Sequence, residues 1–338
     1  MQTGKLPPAL LERYVLSRQG RPRPEVLVPA ALGEDSSILD LEGDLCVLSA
    51  DPITGSGSEV GRLAVHVACN DVAASGGEPV GILLTVLVPV DWQPEDIGAL
   101  MEQAHTAACE VGVQIIGGHT EVTPGLPQAI VAATVVGRAT RGRLITSSGL
   151  APGAEIIVTK GVGLEGTAIF ALDFAAELRR AGVAEETIAA AARLARRISV
   201  VPEARIAAAQ GATAMHDVTE GGVLGALYEF ASASRVGLRI ELAAMPVLPE
   251  TRAVCTALGA DPLRLIGSGA LLIGTPPERS RAILAALQAA GIMAAVVARA
   301  LPASEGMCLV AADGKLQPLE PPESDELWRV KARLEGNH

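Results

Sequence analysis

The chain has 338 residues, enough for two domains at roughly 100–200 residues each. With 49% hydrophobic and 19% charged residues it has the composition of a well-cored globular protein and not of a disordered one. The net charge of −11, from 38 acids against 27 bases, together with only three Phe, two Tyr and two Trp, argues against a nucleic-acid binder, which needs a basic face or stacking platforms.

In chain order, an amphipathic helix is expected over residues 6–18, followed by the basic stretch Arg21–Pro24. Short strands follow at 25–28, 36–39 and 45–50, each bounded by Gly, Pro or Asp. Ser56 or Ser58 can open a helix that runs to Ser75, where Gly76-Gly77 and Pro79 stop it. Val80–Val88 reads as a strongly apolar strand and Pro94–Val111 as a helix with Glu95 and Asp96 in its first turn. Strands at 113–116 and 129–136 precede a Gly/Ser/Pro stretch, Thr146–Gly153, expected as the domain boundary. A fresh α/β pattern then begins: a strand at 155–159, helices at 167–181 and 185–198, a strand at 213–215 and a helix at 222–233. Strands at 239–242 and 269–273, a helix at 277–290 and strands at 296–298 and 307–311 complete it. The fold class expected is α/β (α+β), with many helices packed on sheets. Met1–Pro8 has no apolar h-region, no apolar run approaches the roughly 18 residues of a membrane span, and the five Cys show no close pairing. A cytoplasmic enzyme or binding protein with reduced thiols and no membrane partner is therefore expected.

Several acids stand at element ends instead of on solvated faces. Asp35 lies in Gly33-Glu34-Asp35-Ser36-Ser37, Asp51 ends the third strand, and Asn70-Asp71 sits inside an otherwise apolar helix. A buried carboxylate needs a hydrogen bond, a cation or a metal. Acids converging from strand ends and one helix suit oxygen coordination of Mg2+, which commonly brings a nucleotide. Each acid taken alone also reads as a turn residue or a helix cap.

Three glycine-rich joints follow. Gly117-Gly118-His119-Thr120-Glu121 comes after a strand, where two glycines allow either close approach to a ligand or a tight turn; His119 and Glu121 would share a strand face. Lys160-Gly161-Val162-Gly163-Leu164-Glu165-Gly166-Thr167 lies between a strand and a helix, the context that cradles phosphates. No Gly-Lys-Ser/Thr follows, so it is not a P-loop. A dinucleotide fold would need a second strand ending in an acid about 20 residues on, whereas Glu185 and Glu186 open a helix, which argues against a nicotinamide dehydrogenase. In Met215-His216-Asp217-Val218-Thr219-Glu220-Gly221-Gly222, Asp217 and Glu220 fit a capping box, or Asp217 is free to hold a metal. His66 and Cys69, with no second Cys/His pair nearby, read as buried core and not as a zinc site.

These segments in this order resemble the superfamily of aminoimidazole ribonucleotide synthetase, thiamine-monophosphate kinase, selenophosphate synthetase and the hydrogenase-maturation dehydratase. The resemblance rests on Ser49-Ala50-Asp51, Asn70-Asp71-Val72-Ala73-Ala74-Ser75-Gly76-Gly77-Glu78-Pro79, Gly117-Gly118-His119-Thr120 and Asp217-Val218-Thr219-Glu220-Gly221-Gly222, and its closest look is to the hydrogenase-maturation branch. It implies an N-terminal domain (1–147) whose mixed sheet forms a barrel across a homodimer, a C-terminal α/β sandwich domain (148–320) covering the phosphates, and a tail (321–338). ATP and Mg2+ would lie at the dimer groove.

On that resemblance Asp35, Asp51, Asp71 and Asp217 are the expected metal ligands. Asn70, Gly117, Gly118, Lys160, Gly161, Gly163, Gly166, Gly221 and Gly222 are expected at the nucleotide, and His119 and Glu121 as acid and base. His119 stands where the kinase branch has Asp. The dehydratase branch ends in a reactive Cys, whereas here the last residues are Glu335-Gly336-Asn337-His338; the selenium branch has an N-terminal Gly-rich loop with Cys and Lys, and here only Lys5 is found, with Cys46 inside a strand. The implied activity is that of an ATP-dependent ligase or phosphotransferase that activates a carbonyl, amide or phosphate oxygen of an unidentified small-molecule or protein acceptor. The alternative is a nucleotide-binding partner that has lost catalysis.

Overall fold

Strand β1 (Val26–Val28) pairs antiparallel with β2 (Ser37–Leu41), which pairs antiparallel with β3 (Asp44–Ile53). Along β3, Leu45 and Val47 are buried while Cys46 and Leu48 are half-buried, the alternation of a sheet with one covered face. The computed structural model describes residues 8–9, 26–29, 31–41, 44–322 and 324–336. The expected basic stretch Arg21–Pro24, Lys5, Asn337, His338 and all but two residues of the expected 6–18 helix lie outside these.

Helix α1 (Val60–Ala74) is buried along its whole length. It lies against β3 and two further strands on one side, and against helices from both halves of the chain on the others. This placement explains why its sequence is apolar nearly all round. Strand β4 (Glu78–Val88) buries Ile82, Leu84, Val86 and Val88 toward α1, while Leu83 and Thr85 point the other way and are exposed. Helix α2 (Pro94–Val111) has the boundaries the sequence implied: Pro at N1, a Gln93/Asp96 capping box, and Gly112 in the left-handed conformation at its end.

Strand β5 (Gln114–Val122) runs parallel to β4, and β6 (Ile130–Ala139) inserts antiparallel between β3 and β4. The sheet order is β1-β2-β3-β6-β4-β5. Gly117 and Gly118, expected at the strand's end for either a ligand approach or a tight turn, lie inside β5, whose pairing with β4 continues through them. A Cβ on Gly118 would stand 1.9 Å from Leu84 O at φ +141°, so the glycine permits close approach of a neighbouring strand. Gly118→Ala is expected to cost on the order of 3 kcal/mol or to unpair β5, read as a lowered midpoint in urea unfolding.

The second sheet starts with β7 (Glu155–Thr159). Helix α3 (Leu164–Asp173) and α4 (Ala175–Arg180) replace the single helix expected over 167–181, which breaks at Phe174. Helix α5 (Glu185–Ala192) continues into a 3-10 turn (Arg193–Arg197). Next come α6 (Val201–Ala209), β8 (Ala214–Asp217), α7 (Gly222–Ser234), β9 (Gly237–Glu241) and α8 (Pro249–Leu258). The chain then forms β10 (Leu271–Thr275), α9 (Pro277–Ala289), β11 (Ala294–Leu301), β12 (Met307–Val310) and β13 (Leu316–Pro318).

The strand order is β13-β12-β9-β11-β7-β10-β8, with β12–β9 parallel and the other pairs antiparallel. Strands β7 and β10 are buried on both faces. Phe230 and Leu227 of α7 share a core cluster with Ile156, Val158 and Leu272, while Ala204 of α6 and Ile283 and Leu287 of α9 cluster with Ile157, Leu271 and Ile273 on the other side. The chain is thus a mixed α/β protein with two mixed sheets. The stretch expected as a tail carries a last helix, α10 (Glu326–Leu334), whose Leu327 and Val330 are buried among α3, α4, α5 and α8 residues. No helix among the described residues is long and apolar enough to cross a membrane.

Candidate functional site

Four strand or helix ends bring carboxylates together where the two sheets meet. Asp51 comes from β3, Asp71 from α1, Asp35 from the segment before β2, and Asp217 from the end of the edge strand β8. Ser49 Oγ stands between Asp71, to which it donates, and Asp51 Oδ2 at 3.1 Å. Ligand atoms of Asp35, His216 and Asp217 lie within 4.8 Å of one another. Asp217 is 1% exposed, and its Oδ2 is buried without a hydrogen-bond partner. It does not cap α7, as the capping-box reading would have it: the N-cap is Gly221, and no side chain caps that helix.

The charges in this cluster repel. Burial first, then the charges of Asp51 and Asp217, hold the Asp71 carboxyl well above the usual carboxylate range. Burial, reinforced by Asp35, pushes Asp217 up to about 8. The nearest positive charge is internal. His216 Nδ1 pairs with Asp35 Oδ1, its Nε2 lies 3.4 Å from Glu229 Oε2, and its ring stacks on Phe230 at 5.9 Å. Burial alone would lower the imidazole; Asp35 and Glu229 outweigh it and raise it to about 10. A buried acid cluster with an orphaned carboxylate oxygen offers the oxygen donors that could hold a hard divalent cation, and the residues present fit Mg2+.

Other expected site residues are used differently. Asn70 is fully buried, but its amide donates to Ile198 O at 2.9 Å and accepts from Val200 N at 2.8 Å; it joins α1 to the second half of the chain and faces no open ligand site. Lys160 is also internal: its ammonium pairs with Glu203 at 2.7 Å and donates to Ser199 O at 2.5 Å. Burial lowers the Lys160 pKa, and Glu203 opposes that shift.

Several amides of the glycine joints are likewise engaged within the protein. Gly161 N donates to Thr159 O, Val162 N to Pro246 O, Gly166 N to Ile266 O, Gly222 N to Thr219 O and Gly221 N to Asp325. Gly163 caps α3 in the left-handed conformation. Gly222, at φ +64°, packs so closely that a Cβ would lie 2.6 Å from Leu263 O. Gly166 N to Ile266 O in the first joint, and Leu224 N to Leu263 O and Gly267 N to Thr219 O in the second, tie both joints to segment 262–268, so these amides are engaged within the protein. Glu165, in the first turn of α3, is 3% exposed with Oε2 unpartnered, and burial pushes it up to about 7.

His119 and Glu121 share a face of β5, Nε2 to Oε2 at 3.3 Å, but their side chains are 68% and 56% exposed and stand opposite Thr85 and Leu87 of β4. They are not among the groups that perturb the acid cluster. Sequence reasoning missed Ser49, Ser147 (Oγ 3.3 Å from Asp35 Oδ2), His216 as the internal cation, and Glu229. Glu229 carried a readable signal, a lone acid between Tyr228 and Phe230 in an apolar helix, the same signal that marked Asp71.

Comparison with known proteins places these features in one family. Residues 33–139 match the N-terminal domain and residues 151–308 the C-terminal domain of the AIR synthase related proteins. A carbamoyl dehydratase HypE of Rhizobium leguminosarum bv. viciae is 31% identical over 270 residues, which is 76% of this chain and 73% of that protein. The crystal structure of E. coli HypE superposes with a TM-score of 0.73 at 24% identity, covering 95% of this chain and 97% of that one. A structure of the hydrogenase maturation protein HypE in complex with ATP superposes with a TM-score of 0.71 at 22% identity, covering 95% and 96%. With both domain models in sequence order over the two sheets and a relative above 30% identity across most of its length, the chain belongs to the AIR synthase related protein family.

Proposed function

We propose that this chain is an ATP- and Mg2+-dependent enzyme that moves the γ-phosphoryl group of ATP onto a carbonyl, amide or phosphate oxygen, releasing ADP. The observation that carries the reading is the convergence of Asp35, Asp51, Asp71 and Asp217 with an unpartnered buried oxygen at its centre. The relatives named carbamoyl dehydratase favour an amide oxygen as the acceptor, and the HypE structure with ATP favours ATP as the donor. Bound there, Mg2+ would neutralise phosphate charge during transfer. Asp51, Asp71 and Asp217 would supply the carboxylates that hold it. Ser49 orients two of them, and the His216 imidazolium balances Asp35 from behind.

The working unit in this proposal is a cytoplasmic homodimer. The uncovered face of β4, with exposed Val80 and Leu83, continues to β5, where Ile116 and Val122 are exposed as well. An exposed apolar sheet face of this kind calls for a cover. A second copy would close it and bring His119 and Glu121 under cover, where they could serve as base and acid.

The test is thermal unfolding with millimolar ATP and Mg2+. At 100 times Kd the wild type gains about 2.7 kcal/mol, a rise of several degrees, whereas Asp51→Asn shows none. An unmoved wild-type midpoint sinks the reading. Light scattering at micromolar concentration is expected to return twice the monomer mass.

A further inference from the structure

Helix α10 reaches both walls of the acid site. Asp325 caps it, its Oδ1 accepting from Leu327 N at 2.7 Å. An ordinary N-cap serves its own helix. This one also accepts from Ile266 N at 3.1 Å and, through Oδ2, from Gly221 N at 2.6 Å. Asp325 is 2% exposed, and all three of these partners are backbone N–H groups. Two more contacts leave the same helix. Trp328 Nε1 donates to Glu220 Oε1 at 2.7 Å, and Lys331 Nζ donates to Gly55 O at 3.1 Å. A Cβ on Gly55 would stand 3.1 Å from the Leu327 side chain. One helix thus grips the loop that follows Asp51 and the joint that follows Asp217.

Backbone bonds from Val218 N to Ala270 O, Gly267 N to Thr219 O and Leu224 N to Leu263 O also hold this joint, and Asp325 is the side chain that takes Gly221 N. Strand β8 is four residues long, lies at the sheet edge and is laddered only to β10, and Gly221 and Gly222 then turn the chain in left-handed conformations. Glycine carries no side chain to restrain such a turn.

We infer that Asp325 is a positioning residue of the cation site: by fixing Gly221 and Ile266 against α10 it sets Asp217 in register with Asp51 and Asp71. The inference rests on the ATP·Mg2+ reading of the acid cluster. It adds the C-terminal helix, expected as a tail, to the parts that shape the site.

The experiment titrates Mg2+ against the full-length protein at fixed ATP, and ATP at saturating Mg2+, by calorimetry. The proteins compared are the wild type, Asp325→Asn, Trp328→Phe and the exposed control Asp313→Asn. Asp325→Asn keeps the α10 cap acceptor but turns an NH2 group toward one backbone N–H. It is expected to raise the half-saturating Mg2+ concentration about tenfold, with ATP affinity at saturating Mg2+ changed less than about threefold. Trp328→Phe, which removes the indole donor to Glu220 and the ring atoms packed near Gly55, is expected to shift the same midpoint about twofold to threefold; it carries the test if Asp325→Asn does not fold. Asp313→Asn is expected to match the wild type. A Mg2+ midpoint unchanged in Asp325→Asn, whatever its melting temperature, overturns the positioning role and leaves a structural cap; if that variant does not fold, an unchanged midpoint in Trp328→Phe does the same. A wild type that binds no ATP·Mg2+ overturns the site reading itself, and this inference with it.

Discussion

Replacing Asp217 by Asn is expected to weaken Mg2+-dependent ATP binding by about 100-fold or more while making the ligand-free protein more stable at pH 8. The first half follows from removing an anionic ligand whose free oxygen faces no other donor. The second follows from linkage. Asp217 is raised from 3.8 to about 8, so the folded state holds its proton where the unfolded chain has lost it. Protonation therefore favours the fold in full below about 4, and the advantage is lost as pH rises through about 8. Over that window the wild type loses on the order of a few kcal/mol that the Asn variant keeps. Urea melts at pH 4.5, 6 and 8 check it: the two proteins should converge at the acid end and separate at pH 8. Equal stability at pH 8 would mean that the acids do not crowd one another as drawn.

The Asn70→Ala variant is expected to lose about 2–5 kcal/mol and on the order of 10 °C in melting temperature. The substitution leaves Ile198 O and Val200 N buried and unpaired, and it removes the only side chain of α1 that hydrogen-bonds to that backbone among the described contacts. Asn70→Asp keeps an acceptor for Val200 N but sets a carboxylate against Ile198 O, so it should fare no better. Differential scanning calorimetry decides the matter. A loss below about 1 kcal/mol would show that water or a shifted backbone replaces the amide.

Much of the fold was legible because strands β7 and β4 are apolar runs stopped by Gly, Pro or charge, and because α2 carries its Pro, acids and terminal Gly in plain view. Misreadings arose where a distant partner decides the local conformation. The expected 167–181 helix breaks at Phe174, just after Asp173 reaches back to Gly57 N and Ser58 Oγ. Helix α8 was missed because Pro249 at its first position reads as a stop as easily as a start. The acids of the cluster were legible from their places at element ends and, for Asp71, inside an apolar helix. The fate of the glycine amides was not, because Pro246, Ile266 and Asp325 lie far from them in sequence. Asn70 shared the signal of Asp71, a polar residue in an apolar helix, and only the packing of α1 against residues 198–200 separates a tether from a ligand contact.

The acid cluster draws Asp51 and Asp71 from the elements of the first sheet and Asp217 from the second, so the seam between the two halves carries like charges on both sides. On the Mg2+ reading proposed above, docking of the two halves and cation occupancy become one equilibrium. With the cluster empty and ionised, Coulomb repulsion works to open the seam against the Asn70 tether and the Asp35–His216 pair; in the reading proposed above, bound Mg2+ would reverse the sign and act as a reversible crosslink. Chelation at alkaline pH should therefore loosen the molecule along this seam before either sheet unfolds, which small-angle scattering would register as a larger radius of gyration.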